Sequence, residues 1–112
     1  MDTQNYLERA ETLLSPWLEG ATRPQANRLD VVVPAGSLVA AAAALAEARW
    51  GYLAAITGLD PGAATGTLQV LYHFAEGAAI VTLRVTVSRD DPRVPTLREI
   101  IPLATIYERE LN

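Results

Sequence analysis

His73 is the first residue whose type could do chemistry, because an imidazole can act as a general acid or base or bind a metal. Either task requires partner side chains, and this 112-residue chain has no second histidine and no cysteine. The alternation of the surrounding residues places His73 on the strand face opposite Tyr72 and Phe74, beside Ile80. We therefore expect a structural or solvent-edge role for His73.

Two further patterns have spacings that resemble ligand sites. Gly58, Gly62 and Gly66 could form a phosphate-binding loop, but no Gly-Lys-Ser/Thr follows and the order strand-turn-strand provides no helix N-terminus. Asp90 and Asp91 could supply carboxylates to a hard cation, but a calcium loop needs further oxygen ligands and a closing glutamate. We interpret these residues as turn glycines and a solvated loop, so we expect no catalytic, cofactor or metal-binding residue.

The composition excludes several classes of function. All nine basic residues are arginine, so a Schiff-base lysine and a phosphate-loop lysine are both excluded. The absence of cysteine excludes iron–sulfur ligation, thiol nucleophiles and disulfides. Because a nucleic-acid binder normally has a basic face, the net charge of −4 argues against that partner.

Helical periodicity begins near the amino terminus. Apolar residues recur at three- and four-residue steps over 6–18, which predicts a helix with Asp2 or Thr3 as N-cap and an interruption at Ser15-Pro16. A second predicted helix runs from a Ser37 cap to about residue 49, with Gly51 as its stop. The other elements predicted before residue 60 are strands at 29–33 and 52–59 and a loop at 20–27.

The alternation over 67–87 predicts a β-hairpin. With Glu76-Gly77 as a two-residue turn, paired residue numbers sum to 153, so Leu68 faces Val85 and Gln69 faces Arg84. In this register every large apolar residue of the hairpin except Leu71 and Ile80 lies on one face. A slip of one residue would turn that face to water.

A capping-box pattern, Thr96 to Glu99, predicts a helix, and Pro102 is interpreted as the first residue of a second helical segment. Together these elements predict an α+β fold: two layers, with a mostly antiparallel sheet of about four strands and helices packed on one face. Residues 1–112 are expected to form a single domain. The longest apolar stretch has nine residues, too short for a bilayer span of roughly 20, and no export signal is recognised, so we expect a cytoplasmic chain without direct membrane insertion.

The last charged cluster is Glu108-Arg109-Glu110. Residues two apart on a helix point about 200° from one another, so the two glutamates cannot converge as an acid/base pair. Taken alone, the cluster is typical of a solvated helix face or of a recognition surface.

A series of short motifs in the second half resembles the 30 kDa subunit family of respiratory complex I, which is the C subunit of the bacterial NADH-quinone oxidoreductase. The resemblance covers roughly residues 50–112 and ends in the family's Glu-Arg-Glu triplet. The motifs are Tyr52-Leu53, Ile56 to Asp60-Pro61, Leu71-Tyr72-His73-Phe74, Leu83 to Val87, Val94-Pro95-Thr96, Pro102-Leu103-Ala104 and Tyr107 to Glu110.

The resemblance implies a non-catalytic scaffold subunit in the peripheral arm of a proton-translocating NADH-quinone oxidoreductase. It implies no flavin, cluster or nicotinamide site, and it implies as partners the 49 kDa-type subunit and the iron–sulfur subunits. The chain would lie on the inner face of the cell membrane, bound through the complex. Two alternatives stay open: the equivalent subunit of a membrane-bound hydrogenase or formate hydrogenlyase, and a stand-alone domain that binds a small ligand.

In the family the triplet leads into a segment that wraps the 49 kDa-type subunit. The resemblance therefore implies a partner interface at Glu108, Arg109 and Glu110. Only Leu111 and Asn112 follow here, so we expect either a shortened form of the family's chain or a natural short relative.

Overall fold

The five strands of this protein form one mixed sheet in the order β1-β2-β5-β4-β3. The computed structural model describes residues 2–60, 62–91, 93–101 and 104–109. The β2–β5 pair is parallel and the other three pairs are antiparallel. The elements are α1 Thr3–Leu14, β1 Gly20–Gln25, β2 Arg28–Val32, α2 Leu38–Glu47, β3 Tyr52–Leu59, β4 Thr67–Glu76, β5 Ala79–Ser88 and α3 Ala104–Arg109, with short 3₁₀ turns at Ala35–Ser37 and Ala63–Thr65. The predicted α+β class is confirmed.

The sheet has one strand more than predicted, because residues 20–25 form edge strand β1 rather than a loop. Apart from half-buried Gly20, its residues are exposed, so its sequence lacks the apolar alternation that marks a strand. Pro24 is tolerated there because an edge strand needs ladder hydrogen bonds on one side only. The register with β2 also shifts between Thr22 and Gln25.

Helix α1 begins and ends as predicted. The Asn5 N–H donates to the Asp2 carboxylate at 2.8 Å, so Asp2 is the N-cap. The helix ends at Leu14, just before Ser15-Pro16, because Pro16 has no N–H to donate to the next carbonyl of the helix. The Trp50 indole N–H donates to the Tyr6 carbonyl of α1 at 2.8 Å.

Helix α2 differs from the prediction at both ends. The Ser37 side chain makes no capping hydrogen bond, because a 3₁₀ turn precedes the helix and the Ser37 N–H donates to the Pro34 carbonyl. The helix ends at Glu47, and Arg49 rather than Gly51 takes the first left-handed conformation after it (φ 55°). Gly51 has a different role: a Cβ there would lie 2.0 Å from the Ala75 carbonyl oxygen.

The predicted hairpin register is wrong by two residues. The turn is Gly77-Ala78, so Glu76 pairs with Ala79 and paired numbers sum to two more than expected. Gly77 has φ 58°, and glycine at the first of two central positions is what a type II′ turn favours. A two-residue shift keeps every side chain on its face, so the predicted apolar face is retained. His73 pairs with Thr82, however, and Ile80 pairs with Ala75.

The described helices bury their apolar side chains in one core against one face of the sheet. This core joins Leu7 and Leu14 of α1, Leu45 of α2 and Ala104 of α3 to inward strand residues such as Leu83. None of the described helices is long and apolar enough to span a bilayer.

The opposite side of the sheet carries no helix in the part of the chain that the structure describes, and we call it the open face. Residues that pair across neighbouring strands point to the same side of a sheet, so the strand register shows which residues lie on the open face. They are Arg28, Asp30 and Val32 on β2; Tyr52, Ala55, Thr57 and Leu59 on β3; Gln69, Leu71, His73 and Ala75 on β4; and Ile80, Thr82, Arg84 and Thr86 on β5. Leu71 and Ile80 are thus the two large apolar hairpin residues outside the core, as predicted.

Candidate functional site

The predicted partner interface lies on α3, a helix of six residues that contacts β3. The segment before it was expected to be a helix opened by a Thr96–Glu99 capping box. It is instead a single turn in which the Ile100 and Ile101 N–H groups both donate to the Leu97 carbonyl. The Ala104 N–H then donates to the Ile101 carbonyl at 2.9 Å, and buried Ala104 docks the helix against the core. The predicted start at Pro102 lies outside the described residues.

Glu108 points back into the molecule rather than outward. One carboxylate oxygen accepts from the Thr96 hydroxyl at 2.8 Å, and the other accepts from the Leu97 N–H at 3.1 Å. The predicted capping box pairs Thr96 with Glu99, three residues along the chain. Its actual partner is Glu108, twelve residues along the chain. Glu108 therefore ties α3 to the preceding turn and is half-buried in doing so.

Arg109 and Ile106 are exposed three residues apart, a spacing that places two side chains on the same side of a helix. Ile106 is 55% exposed and is one of the four large apolar side chains that are exposed in the described part of the chain. The structure thus separates the predicted triplet: Glu108 is an internal contact, Arg109 is an exposed cation, and Glu110 lies outside the described residues. Sequence reasoning did not identify Ile106 as part of this surface.

Tyr72 lies in the core close to Glu108. Burial is the main reason that its pKa is raised far above the usual range, and the nearby Glu108 carboxylate raises it further. The ring is fully buried, and its hydroxyl has no hydrogen-bond partner among the described residues. Tyr72 is accordingly a neutral core residue.

His73, the other candidate for chemistry, is held between two threonines on the open face. Its Nδ1 lies 2.9 Å from the Thr82 hydroxyl and its Nε2 lies 3.2 Å from the Thr57 hydroxyl. Burial lowers the pKa of His73, and the Arg28 cation lowers it further, so the ring is neutral at pH 7. With both ring nitrogens engaged, this geometry is that of a structural histidine.

Beside it, Arg84 joins three strands through its side chain. Its Nη2 and Nε contact the two Asp30 oxygens at 2.7 and 3.3 Å, and its Nη1 donates to the Gln69 amide oxygen at 2.7 Å. The hydrogen bond to Asp30 raises the Arg84 pKa. Sequence reasoning paired Arg84 with Gln69 directly across the hairpin, whereas the contact is diagonal, since Gln69 pairs with Thr86. The sequence did not indicate the contact between Arg84 and Asp30, because only the parallel pairing of β2 with β5 brings Asp30 close to Arg84.

A groove of about 700 Å³ lies between the end of β3, the start of β4 and α3, and of the glycine and aspartate patterns only Gly58 lines it. Gly62 and Gly66 have positive φ and serve as turn residues, but Gly58 lies inside β3. The charged side chains along the groove are engaged within the chain: Asp60 pairs with Arg89, and Arg93 pairs with Asp91. The described residues contain no cluster of three side chains suited to a metal ion.

Comparison with known proteins gives the family. The family model described as respiratory-chain NADH dehydrogenase, 30 Kd subunit, matches residues 31–112, which includes the predicted resemblance over 50–112 and extends it back into β2. The C subunit of the NADH-quinone oxidoreductase of Moorella thermoacetica is 34% identical over 109 residues, which cover 95% of this chain and 71% of that protein. The same subunit of Chloroherpeton thalassium is 38% identical over 65 residues, which cover 55% of this chain but only about a quarter (26%) of that protein.

Two solved structures share the fold. A chain of an archaeal respiratory membrane complex, the membrane-bound sulfane sulfur reductase, superimposes with a TM-score of 0.78 at 23% identity, covering 96% of this chain and 64% of the other. A trypsin-resistant fragment of Nqo5 superimposes with a TM-score of 0.74 at 24% identity, covering 99% of this chain and 89% of the fragment. Since the family model spans most of the chain and the Moorella relative spans nearly all of it, the chain belongs to the respiratory-chain NADH dehydrogenase 30 Kd subunit family.

Proposed function

We propose that this chain is a non-catalytic scaffold subunit in the peripheral arm of a proton-translocating NADH-quinone oxidoreductase. The observation that carries the proposal is the 34% identity with the C subunit of an NADH-quinone oxidoreductase over 95% of the chain. A chain without cysteine cannot hold an iron–sulfur cluster through thiolates. Its role in electron transfer would therefore be to position other subunits.

The partners we propose are the 49 kDa-type subunit and the iron–sulfur subunits of the complex, on the inner face of the cell membrane. Arg109 is the residue of the triplet best placed to contact them, because its guanidinium is exposed beside Ile106. Arginine can form bidentate, charge-assisted pairs with a carboxylate across an interface. Glu108 would act indirectly by holding α3 against Leu97, and Glu110 stays a predicted contact.

A second candidate is the equivalent subunit of a different respiratory membrane complex, such as a hydrogenase or formate hydrogenlyase. The observation that favours it is the superposition with a chain of the sulfane sulfur reductase complex. At 23% identity this likeness concerns the fold. The two candidates differ in the activity of the complex and not in the role of the chain.

The test is to express the tagged chain together with the genes that flank its own and to assay the complex that co-purifies. We expect NADH oxidation coupled to quinone reduction, lost when this chain is omitted and restored when it is added back. Sulfur- or hydrogen-dependent activity would instead support the second candidate. A tagged chain that purifies alone, although the flanking subunits are expressed, would contradict both.

Arg109→Ala should weaken capture by the partner subunits, since removing one member of a desolvated charge pair costs about 2–5 kcal/mol of binding. Arg98→Ala is the matched control, because Arg98 is also exposed and lies in the same part of the chain. The opposite result, with Arg109→Ala unfolding the isolated chain while sparing capture, would make Arg109 a structural residue.

A further inference from the structure

The open face carries apolar side chains that the fold leaves uncovered. Tyr52 is 63% exposed and Leu59 is 44% exposed, and both lie on this side of β3. They are two of the four large apolar side chains that are exposed in the described part of the chain. Leu71 on the neighbouring strand β4 and Ile80 on the central strand β5 are half-buried on the same face.

The polar side chains at the centre of this face satisfy one another. Asp30 and Gln69 are bound by Arg84, and the two ring nitrogens of His73 are occupied by Thr57 and Thr82. The cost of burying a polar group is large only when its hydrogen bonds are left unmade. A partner could therefore cover the centre of the open face without leaving these groups unpaired.

Of the three charged residues on the open face, Arg28 is the one that pairs with no other described residue. Arg28 is exposed and makes no side-chain hydrogen bond or ion pair with the described residues. It forms a wall of a notch of about 310 Å³ whose other sides include His73, Ala75 and Ile80. Because Asp30 is already engaged by Arg84, Arg28 has no anionic partner among the described residues.

The charge of this face differs in sign from that of the chain. Its charged strand residues are Arg28, Arg84 and Asp30, which sum to one positive charge, whereas the whole chain has a net charge of −4. Two copies packed through this face would bring like charges together. A surface with carboxylates would be complementary to it.

We propose that the open face is the docking surface for another subunit of the same complex, one that presents an apolar patch with a carboxylate side chain that enters the notch and pairs with Arg28. This inference rests on the proposed function. Four or five strands spaced about 4.8 Å apart, each covered over about 25 Å of its length, offer about 500–600 Å² per partner. The resulting total of about 1,000–1,200 Å² reaches the lower end of specific interfaces.

The test uses the complex purified with the tagged chain. A photo-crosslinking amino acid replaces Thr86, which is exposed on the open face and makes no side-chain hydrogen bond with the described residues. We expect a crosslink to a different subunit, with the crosslinked peptide identified by mass spectrometry. A crosslink to a second copy, or none in a complex that has assembled, would overturn the inference and leave the proposed function standing.

Arg28→Glu tests the charge pair separately. We expect the variant to melt like wild type in isolation but to co-purify at least tenfold less, and Arg28→Lys to be intermediate. Arg98→Glu is the control, because it makes the same charge change at an exposed position outside the sheet. Equal co-purification of Arg28→Glu and Arg98→Glu would overturn the role of Arg28. If the wild-type chain assembles with no subunit, the proposed function fails and this inference fails with it.

Discussion

The open face and the α3 region hold their polar side chains in different ways. On the open face, Asp30, His73 and Arg84 are fixed by strands that are paired on both sides, so their contacts depend on a ladder of backbone hydrogen bonds. In the α3 region, one carboxylate, that of Glu108, joins a six-residue helix to a single turn. A helix this short is not stable by itself. We conclude that the sheet positions its side chains with redundancy, whereas α3 depends on a few contacts.

The largest expected effect is on the sheet that supports the open face. Leu83→Ala should lower the free energy of unfolding by about 2–5 kcal/mol, since Leu83 is fully buried opposite Tyr72 and its truncation leaves a cavity. Arg84→Ala, one residue along on the open face, should cost well under half as much. Denaturant unfolding measures both. Equal midpoints for the two variants would mean that the faces are assigned incorrectly.

A smaller effect is expected from the single carboxylate of the α3 region. Glu108→Ala should lower the free energy of unfolding by about 1–2 kcal/mol, because it leaves the buried Leu97 N–H without its acceptor. Arg109→Ala, at the neighbouring exposed position, should change it by less than about 0.5 kcal/mol. Amide exchange should locate the loss, with Leu97 losing protection while the strands keep theirs. A uniform loss of amide protection over the whole chain would contradict the proposed difference between the open face and the α3 region.

The Asp30–Arg84 pair should show a coupling of about 1 kcal/mol in a double-mutant cycle with alanine at each position, since the pair is bidentate but partly open to solvent. The exposed Asp91–Arg93 pair is the comparison, and we expect its coupling to be smaller. Both cycles are measured by denaturant unfolding. A larger coupling energy for Asp91–Arg93 would show that placing an ion pair across two strands does not strengthen it.

The smallest effect concerns pH. Burial lowers the pKa of His73 in the folded chain below its unfolded value of about 6.5. The unfolded chain therefore binds the proton more readily, so stability falls as the pH drops from 7 through 6.5 toward the folded pKa. His73→Gln should lose less stability than wild type between pH 7 and pH 5. The pKa values of Asp60 and Asp91 are lowered, so these groups titrate below this range. Parallel pH profiles for the two proteins would mean that His73 is not desolvated.

Several local features were predictable because nearby residues decide them. Asp2 caps α1 through a hydrogen bond to the N–H three residues on, and β3 spans the predicted 52–59 because its bounds are set by Gly51 and Asp60. The hairpin faces were correct for the same reason, since side chains alternate along any strand. The register was wrong because Glu76-Gly77 and Gly77-Ala78 are both plausible turns, and the difference is too small to read from composition.

The candidate interface was only partly predictable. Family motifs directed attention to the triplet, but a linear motif does not say which way its side chains point. Glu108 turns inward because Thr96 and Leu97 are brought beside α3, twelve and eleven residues away along the chain. Exposed Ile106 was not singled out, because a single apolar residue outside the buried stripe of a helix gives no signal of a surface role.

The sequence by itself determined the fold class, the family motifs and the exclusion of thiolate and lysine chemistry, because these depend on residue types and short-range periodicity. The tertiary structure decided which residues meet. Strand β1 exists because β2 offers it an edge, the Asp30–Arg84 pair exists because β2 lies parallel to β5, and the open face exists because all the described helices pack on the other side. These contacts join residues up to 54 positions apart, and local propensity carries no information on pairings over that distance.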